Sequence, residues 1–451
     1  MKLRRLMLIT VVVLLATGFT LQACAEWSFE KAAEPFKGKT LRMVAEAYAP
    51  LWAYKEIAKD FQAVTGIKVE IEGLEYGNLV EKITADATSK IGYYDVFALN
   101  TFLLGRVAEN EWAFSNDAFL DRSEITRPDF DPLREFPETY KAACYYQGEY
   151  YGIPYQYIPP GFVYQKEPAE HPEERQAFRE RYGYEMPIPP QTWIEYYQLA
   201  EFFTRKKGDK LAGKVLQEAY YGTCTPLKRH ECAPYQLNIF IVGMGGDGLI
   251  GQKGEITANT PVFRRALELY MLLGKFSTPA ILDYTWDEMN RDIMMGKFFM
   301  APQWPDAMAY FEDPKESKVA GKLGYFLPPE TKRIWADTHT WFVSRPSKNP
   351  EMGWLWLQYI SQYDVQKKYQ RLKGSTFRLD VLNDPEFASI PWIAGYLAEA
   401  KHVVPTMKIP EMGHIIDIMM EGMSKIGAKE MTIPKGIDWI VEQEKEVLGQ
   451  E

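Results

Sequence analysis

This chain is poor in the residues that usually carry out chemistry: 451 residues hold only four cysteines and five histidines. There is no Gly-x-Ser-x-Gly, Cys-x-x-Cys, His-Glu-x-x-His or Walker loop, which removes nucleophile-elbow, dithiol, zinc-protease and P-loop chemistry from the first rank of readings. His171, His230, His339, His402 and His414 are scattered and match no metal-ligand spacing, so neither metal nor cofactor is expected. No long basic run occurs, and 52 Lys+Arg stand against 61 Asp+Glu for a net charge of −9. That balance argues against nucleic acid as a partner. Past the N-terminus no apolar run reaches the roughly 18 residues that a spanning helix needs.

What is present begins with an export signature. Lys2, Arg4 and Arg5 precede an apolar run from Leu6 to Ala16, broken only by Thr10, and then a small-residue cleavage site. Residues 1–25 therefore read as a signal peptide, and the expected location is periplasmic. Two ends remain open. Ala23-Cys24-Ala25 fits cleavage to a soluble form, whereas Leu21-Gln22-Ala23-Cys24 fits a lipobox that would anchor the protein through Cys24. Removing 1–25 takes away three cations and no acid, shifting the net charge from −9 to −12. The 426 residues left exceed a single core and favour two lobes.

Export also colours the cysteines. Cys224 and Cys232 flank a short polar segment, and an oxidising compartment favours a disulfide between them, stabilising by roughly 2–3 kcal/mol. Zinc, with His230 and Glu231 alongside, is the rival. Cys144 is expected as a buried free thiol. Aromatics make 14% of the chain, with 12 Trp, 28 Tyr and 24 Phe. Their tyrosines cluster beside Gly and Pro, as in 145–155, where rigid rings suit stacking on the C–H faces of sugars.

Periodicity predicts a strand over 40–45, a helix over 51–65 capped by Gly66, a strand over 67–71, a helix over 78–88 and a strand over 95–99. Strand–helix–strand order implies a mostly parallel sheet, whose ligands gather beyond the carboxyl ends of the strands. Tyr48, Glu75, Tyr76, Asn100 and Thr101 follow those ends. Further helices are predicted after Thr192, and over 261–276, 287–295, 350–369 and 414–426. Gly243-x-Gly245-x-x-Gly248 has the spacing of a dinucleotide fingerprint, but the residues after it cannot start the required helix, so it reads as a structural turn.

The order of several short motifs is similar to that of bacterial extracellular solute-binding protein family 1, the maltose-binding-protein-like receptors of ABC importers. Tyr151-Gly152-Ile153-Pro154 with Tyr164-Gln165-Lys166 resembles the family's "YGxP…YNK" passage, with Gln165 in place of Asn. Pro190-Gln191-Thr192-Trp193 resembles "PxTW". Gly245-Gly246-Asp247 and Asn259-Thr260-Pro261 resemble its glycine turn and helix start. Met295-Gly296-Lys297 with Met300 and Trp304, then Ser347-Lys348-Asn349, resemble two later motifs. The departure is Thr338-His339-Thr340-Trp341, where many members carry Gly-Gly.

The resemblance implies an α/β, two-lobed periplasmic binding protein fold, type II-like, with lobes joined by several hinge crossings. Residues 40–158 with 341–375 are the expected N-terminal lobe, and 159–340 with 376–451 the C-terminal lobe. Crossings are expected near Tyr155–Gly161, Thr340–Arg345 and Lys373–Leu379. A carbohydrate or polyol would sit in the cleft, and hinge closure would present the complex to an ABC transporter permease. The protein is expected to be a monomer. Trp304 is the expected aromatic platform, joined by Tyr155, Tyr157, His339, Trp341 and Arg378, with Asp247 at the cleft mouth. The strand-end residues Tyr48, Glu75, Tyr76 and Asn100 complete the expected binding set. The rival readings are an exported glycan-active enzyme, which needs a carboxylate pair roughly 5–10 Å apart, and a receptor for a non-sugar solute such as a phosphorylated polyol or organic cation.

Overall fold

A computed structural model describes residues 27–251, 254–335, 338–395 and 403–450. The export signature, Cys24 and His402 lie outside the described residues. The chain opens as expected, with β1 (Thr40–Glu46), α1 (Ala49–Thr65), β2 (Lys68–Leu74), α2 (Tyr76–Ser89) and β3 (Val96–Asn100). Helix α1 buries Tyr54, Ile57 and Phe61 on one face and stops at Gly66, whose φ of +70° only glycine adopts freely. Glu75 starts α2 by accepting a hydrogen bond from the Asn78 amide at 3.2 Å.

Short β4 (Ile153–Pro154) leads into β5 (Gly161–Gln165) of a second sheet. There follow α3 (Trp286–Met294), β6 (Met300–Gln303), α4 (Pro305–Phe311) and β7 (Leu323–Phe326), and the chain then returns to the first sheet as β8 (His339–Val343). The first sheet runs β2-β1-β3-β8-β4 and the second β6-β5-β7. Strands β1, β2 and β3 are parallel, whereas β8 is antiparallel to both β3 and β4. Pro154 sits on the edge strand, where its missing N–H costs no ladder bond. Gly152 has φ +68°, and a Cβ there would meet the Trp341 carbonyl at 2.0 Å.

The second sheet is antiparallel throughout, unlike the parallel order predicted from the first hundred residues. It is covered by helices including Trp193–Phe202, Cys232–Gly243, Pro261–Leu273, Met412–Gly427 and Ile433–Leu448. Thr192 and Glu195 form a complete capping box on the first of these. The helix predicted over 350–369 is two, Pro350–Ile360 and Tyr363–Arg371, because Gln362 is extended and starts the second. Gly245 has φ +94° and turns the chain after Gly243, as a structural turn requires. None of the described helices is long and apolar enough to cross a membrane.

The chain passes between the two sheets after β4, before β8 and after Arg371. These passages run side by side: the Tyr155 amide donates to the His339 carbonyl at 2.7 Å, and the Tyr157 amide to that of Ser375 at 3.1 Å. The passage expected over Thr340–Arg345 lies earlier, since residues 339–343 are a buried strand. The expected disulfide is corrected too. Cys224 and Cys232 are both free thiols and fully buried. Cys224 packs among Tyr284, Met289 and Phe298, while Cys232 begins its own helix, and burial pushes both thiols well up.

Candidate ligand-binding site

A cavity of about 300 Å³ lies between the lobes. On the first-lobe side its wall comes from strand ends. Glu46 closes β1, and Tyr48 follows it; Tyr76 is the first residue of α2, just past β2; Asn100 ends β3. Because β8 is antiparallel to β3, its first residue, His339, lands on the same edge, paired with Asn100. Gln156 follows β4, which runs in the direction of β3, and so reaches that edge as well. The parallel-sheet rule for ligand position thus recruits one antiparallel strand.

Polar atoms on this wall are tightly interlinked. The Tyr48 hydroxyl accepts from the Gln156 side-chain amide and lies 3.4 Å from His339 Nδ1. Burial lowers the His339 pKa to about 4, so its ring is neutral at pH 7 and Nδ1 is free to accept the Tyr48 proton. Burial likewise raises the Tyr48 pKa, with Tyr155 and Glu46 adding to the effect. The Tyr48 ring stacks on Tyr155, with centroids 6.2 Å apart and planes at 25°. Gln156 is fully buried, and its Oε1 has no hydrogen-bond partner among the described residues. A buried acceptor left unpaired costs about 1–3 kcal/mol, which a donor brought by a ligand would relieve.

The second-lobe wall is aromatic. Trp304 follows β6 and stands perpendicular to Trp286, the first residue of α3, at 6.1 Å between centroids and 89° between planes. Gln303 fixes this corner: its Oε1 accepts from the Trp304 amide at 2.9 Å, and its Nε2 donates to Asn290 at 2.5 Å. Asp306 and Tyr310 project from α4. Burial pushes the Asp306 carboxyl up to about 6, against the pull of the Ala307 amide, which donates to it at 2.9 Å. Among the described residues no group of three His, Cys, Asp or Glu is placed to hold a metal.

Of the residues expected from sequence, the cavity gathers Tyr48, Tyr76, Asn100, Trp304 and His339. Tyr155 lies just behind Tyr48, 1% exposed. The others are placed elsewhere. Trp341 is two residues into β8 and fully buried against Tyr54 and Tyr155, because strand pairing carries it away from the edge that His339 occupies. Arg378 is held by Glu135 at 2.6 Å, Asp380 at 2.7 Å and the Ser361 carbonyl at 2.8 Å, so its donors are spent inside the protein. Tyr157 faces a different groove, beside Lys141 and Lys408. Glu75 caps α2 and faces a neighbouring groove with His230 and His414. Asp247 is exposed on its turn, 3.9 Å from Arg333.

Gln156, Trp286, Asn290, Asp306 and Tyr310 also line the cavity and were not among the expected residues. Asp306 had a signal, since it lies two residues beyond Trp304 in the motif that pointed to the platform. Trp286 had a weaker one, directly after Thr285 of a Thr-x-x-Glu capping box.

Comparison with known proteins bears on this geometry. The family model described as "Bacterial extracellular solute-binding protein" matches residues 51–367. A protein of Sinorhizobium fredii, described as a probable amino-acid ABC transporter periplasmic-binding protein, is 23% identical over 417 residues, covering 88% of this chain and 87% of its own. An erythritol/L-threitol-binding protein of Mycolicibacterium smegmatis is 21% identical, with 82% and 77% covered. The crystal structure of an ABC transporter solute-binding protein from Agrobacterium radiobacter, in complex with ribitol, superposes with a TM-score of 0.76 at 20% identity. It covers 91% of this chain and 99% of that one.

Proposed function

The chain belongs to the bacterial extracellular solute-binding protein family, and on that footing we propose that it is the receptor of an ABC importer, taking a carbohydrate or polyol into the cavity between its lobes. The observation that carries this reading is the cavity itself. Its two walls come from different sheets, so only a solute touching both can hold the lobes together. Perpendicular tryptophans offer faces to a carbon skeleton, and Asn100, Gln156, Asn290 and Gln303 offer amides to hydroxyls. The relative named for erythritol and L-threitol, and the similar structure in complex with ribitol, support a small hydroxylated solute. A volume near 300 Å³ suits a monosaccharide or an open-chain polyol better than a long oligosaccharide.

We place the lobe boundary at the three passages, so that β1–β4 with α1, α2 and the other segments between them, β8, and the helices Pro350–Ile360 and Tyr363–Arg371 move as one body. The remainder moves as the other, and the membrane permease reads the closed form from the periplasmic side. The receptor reading also takes the protein to be no enzyme. Thermal melting against a panel of sugars, polyols and amino acids tests the whole: a ligand-dependent rise in melting temperature with the solute recovered intact supports it. Consumption of a glycan would instead establish the enzyme reading.

A further inference from the structure

We infer that the solute carries a protonated amine as well as hydroxyls, so that the preferred ligand is an amino sugar or amino-polyol. This rests on the receptor reading above and narrows its substrate class. Four carboxylates line the cavity, Glu46, Glu231, Asp287 and Asp306, and among the described residues no lysine or arginine lines it with them. Several sheltered acids elsewhere are held by cations, Glu135 by Arg378, Glu174 by Arg205, and Asp292 by Arg291 and Lys297. Among the described residues neither Asp287 nor Asp306 has such a cation within 4.0 Å. Closing a neutral solute into this space would strip water from Asp306 and Asp287 without supplying a counter-charge. An ammonium supplies it.

The other walls fit the same group. The perpendicular faces of Trp286 and Trp304 attract a cation through their ring quadrupoles. The unpartnered Gln156 Oε1 can only accept, and it lies fully buried on the opposite wall. Three ammonium donors or a nearby hydroxyl can serve it while the same solute meets Asp306 across the cavity. An anionic solute finds no lysine or arginine to meet it among the described lining residues, which sets phosphorylated polyols against the field.

The test is calorimetric titration of the full exported protein with matched pairs, glucosamine against glucose and glucamine against glucitol, with putrescine as a cation without hydroxyls. The amine of a pair should bind about tenfold or more tightly than its neutral partner, the size of one charge-assisted contact. Asp306→Asn should erase most of that preference while changing the neutral partner's affinity much less. Asp287→Asn, at an exposed position, provides the same comparison if the first variant folds poorly. A neutral partner binding as tightly as its amine, or more so, overturns the inference and leaves the carbohydrate receptor standing. Putrescine binding as tightly as the hydroxylated amines, or no member of any pair binding, overturns both.

Discussion

His339 and Asn100 are the outermost register pair of the β8–β3 ladder, and both face the cavity. The pairing ties the site to the hinge. Residue 338 precedes His339 directly, and its carbonyl accepts from the Thr101 amide at 3.0 Å. The Thr338 hydroxyl also donates to the Gln156 carbonyl on the neighbouring passage. The groups that line the cavity on this wall are therefore fastened to the segments that pass between the two sheets. On the proposed reading, hinge motion and ligand contact would share one set of hydrogen bonds.

Tyr48 is the link within that set. Tyr48→Phe keeps the ring on Tyr155 but leaves the Gln156 amide and His339 Nδ1 without their shared partner. We expect a loss of about 1–3 kcal/mol in unfolding free energy without ligand, the cost of unsatisfied buried polar groups, and weaker solute binding as well. Urea denaturation and titration calorimetry measure the two. Unchanged stability would show that water or a rearranged amide replaces the hydroxyl.

The two tryptophans should behave differently. Trp304 is only 5% exposed and packs in the second-lobe core, so Trp304→Ala should cost about 3–5 kcal/mol of stability in addition to affinity. Trp286 is half-buried at a helix start, so Trp286→Ala should weaken binding by roughly 1–3 kcal/mol with a smaller effect on ligand-free melting. If Trp286→Ala left affinity intact, the perpendicular pair would be packing alone.

The sequence made the first five elements legible because periodicity and caps agree there: Gly66, Glu75 and Asn100 stand where the chain turns. Residues beyond strand ends could be named for the same reason, and Tyr48, Tyr76 and Asn100 do reach the cavity. What could not be read was pairing between distant segments. The run 339–343 is buried on both faces, so it carries no alternation, and only its ladders with β3 and β4 fix it as a strand. That pairing decides that His339 meets the cavity while Trp341 does not. Arg378 was misplaced for a similar reason, since its partner Glu135 lies 243 residues away in the chain.

Arg378 gives a prediction of the opposite kind. Its guanidinium is nearly inaccessible and satisfied by Glu135, Asp380 and a carbonyl. Arg378→Ala leaves the Glu135 carboxylate with Arg127 alone, at 2.6 Å. Removing one partner from a buried pair costs about 3–5 kcal/mol when the other is left uncompensated, so the loss here should fall below that range. Chemical denaturation should show that loss, while titration of the folded variant should show affinity unchanged. A lost affinity in a variant of normal stability would return Arg378 to the ligand.

Two buried groups should shape the pH dependence of stability in opposite directions. His339 has a folded pKa of about 4, below the roughly 6.5 of an unfolded histidine. The unfolded chain binds the extra proton between those values, so this contribution is complete above pH 6.5 and is lost as pH falls toward 4. Glu444 is fully buried with neither carboxyl oxygen partnered among the described residues, and burial raises its pKa to about 8, against roughly 4.3 unfolded. The folded state keeps a proton that the unfolded chain releases, so stability is lost as pH rises from about 4.3 to 8. Between 4.3 and 6.5 the two slopes oppose each other; from 6.5 to 8, of these two, Glu444 alone acts, by at most about 1.4 kcal/mol per pH unit. Urea unfolding of the wild type and of Glu444→Gln across pH 5 to 8 should therefore separate above pH 6.5, with the variant flat where the wild type declines. His339→Gln should instead remove the acid-side loss and leave that decline in place. Parallel curves for wild type and Glu444→Gln over pH 6.5 to 8 would mean that Glu444 is charged and partnered in the folded protein.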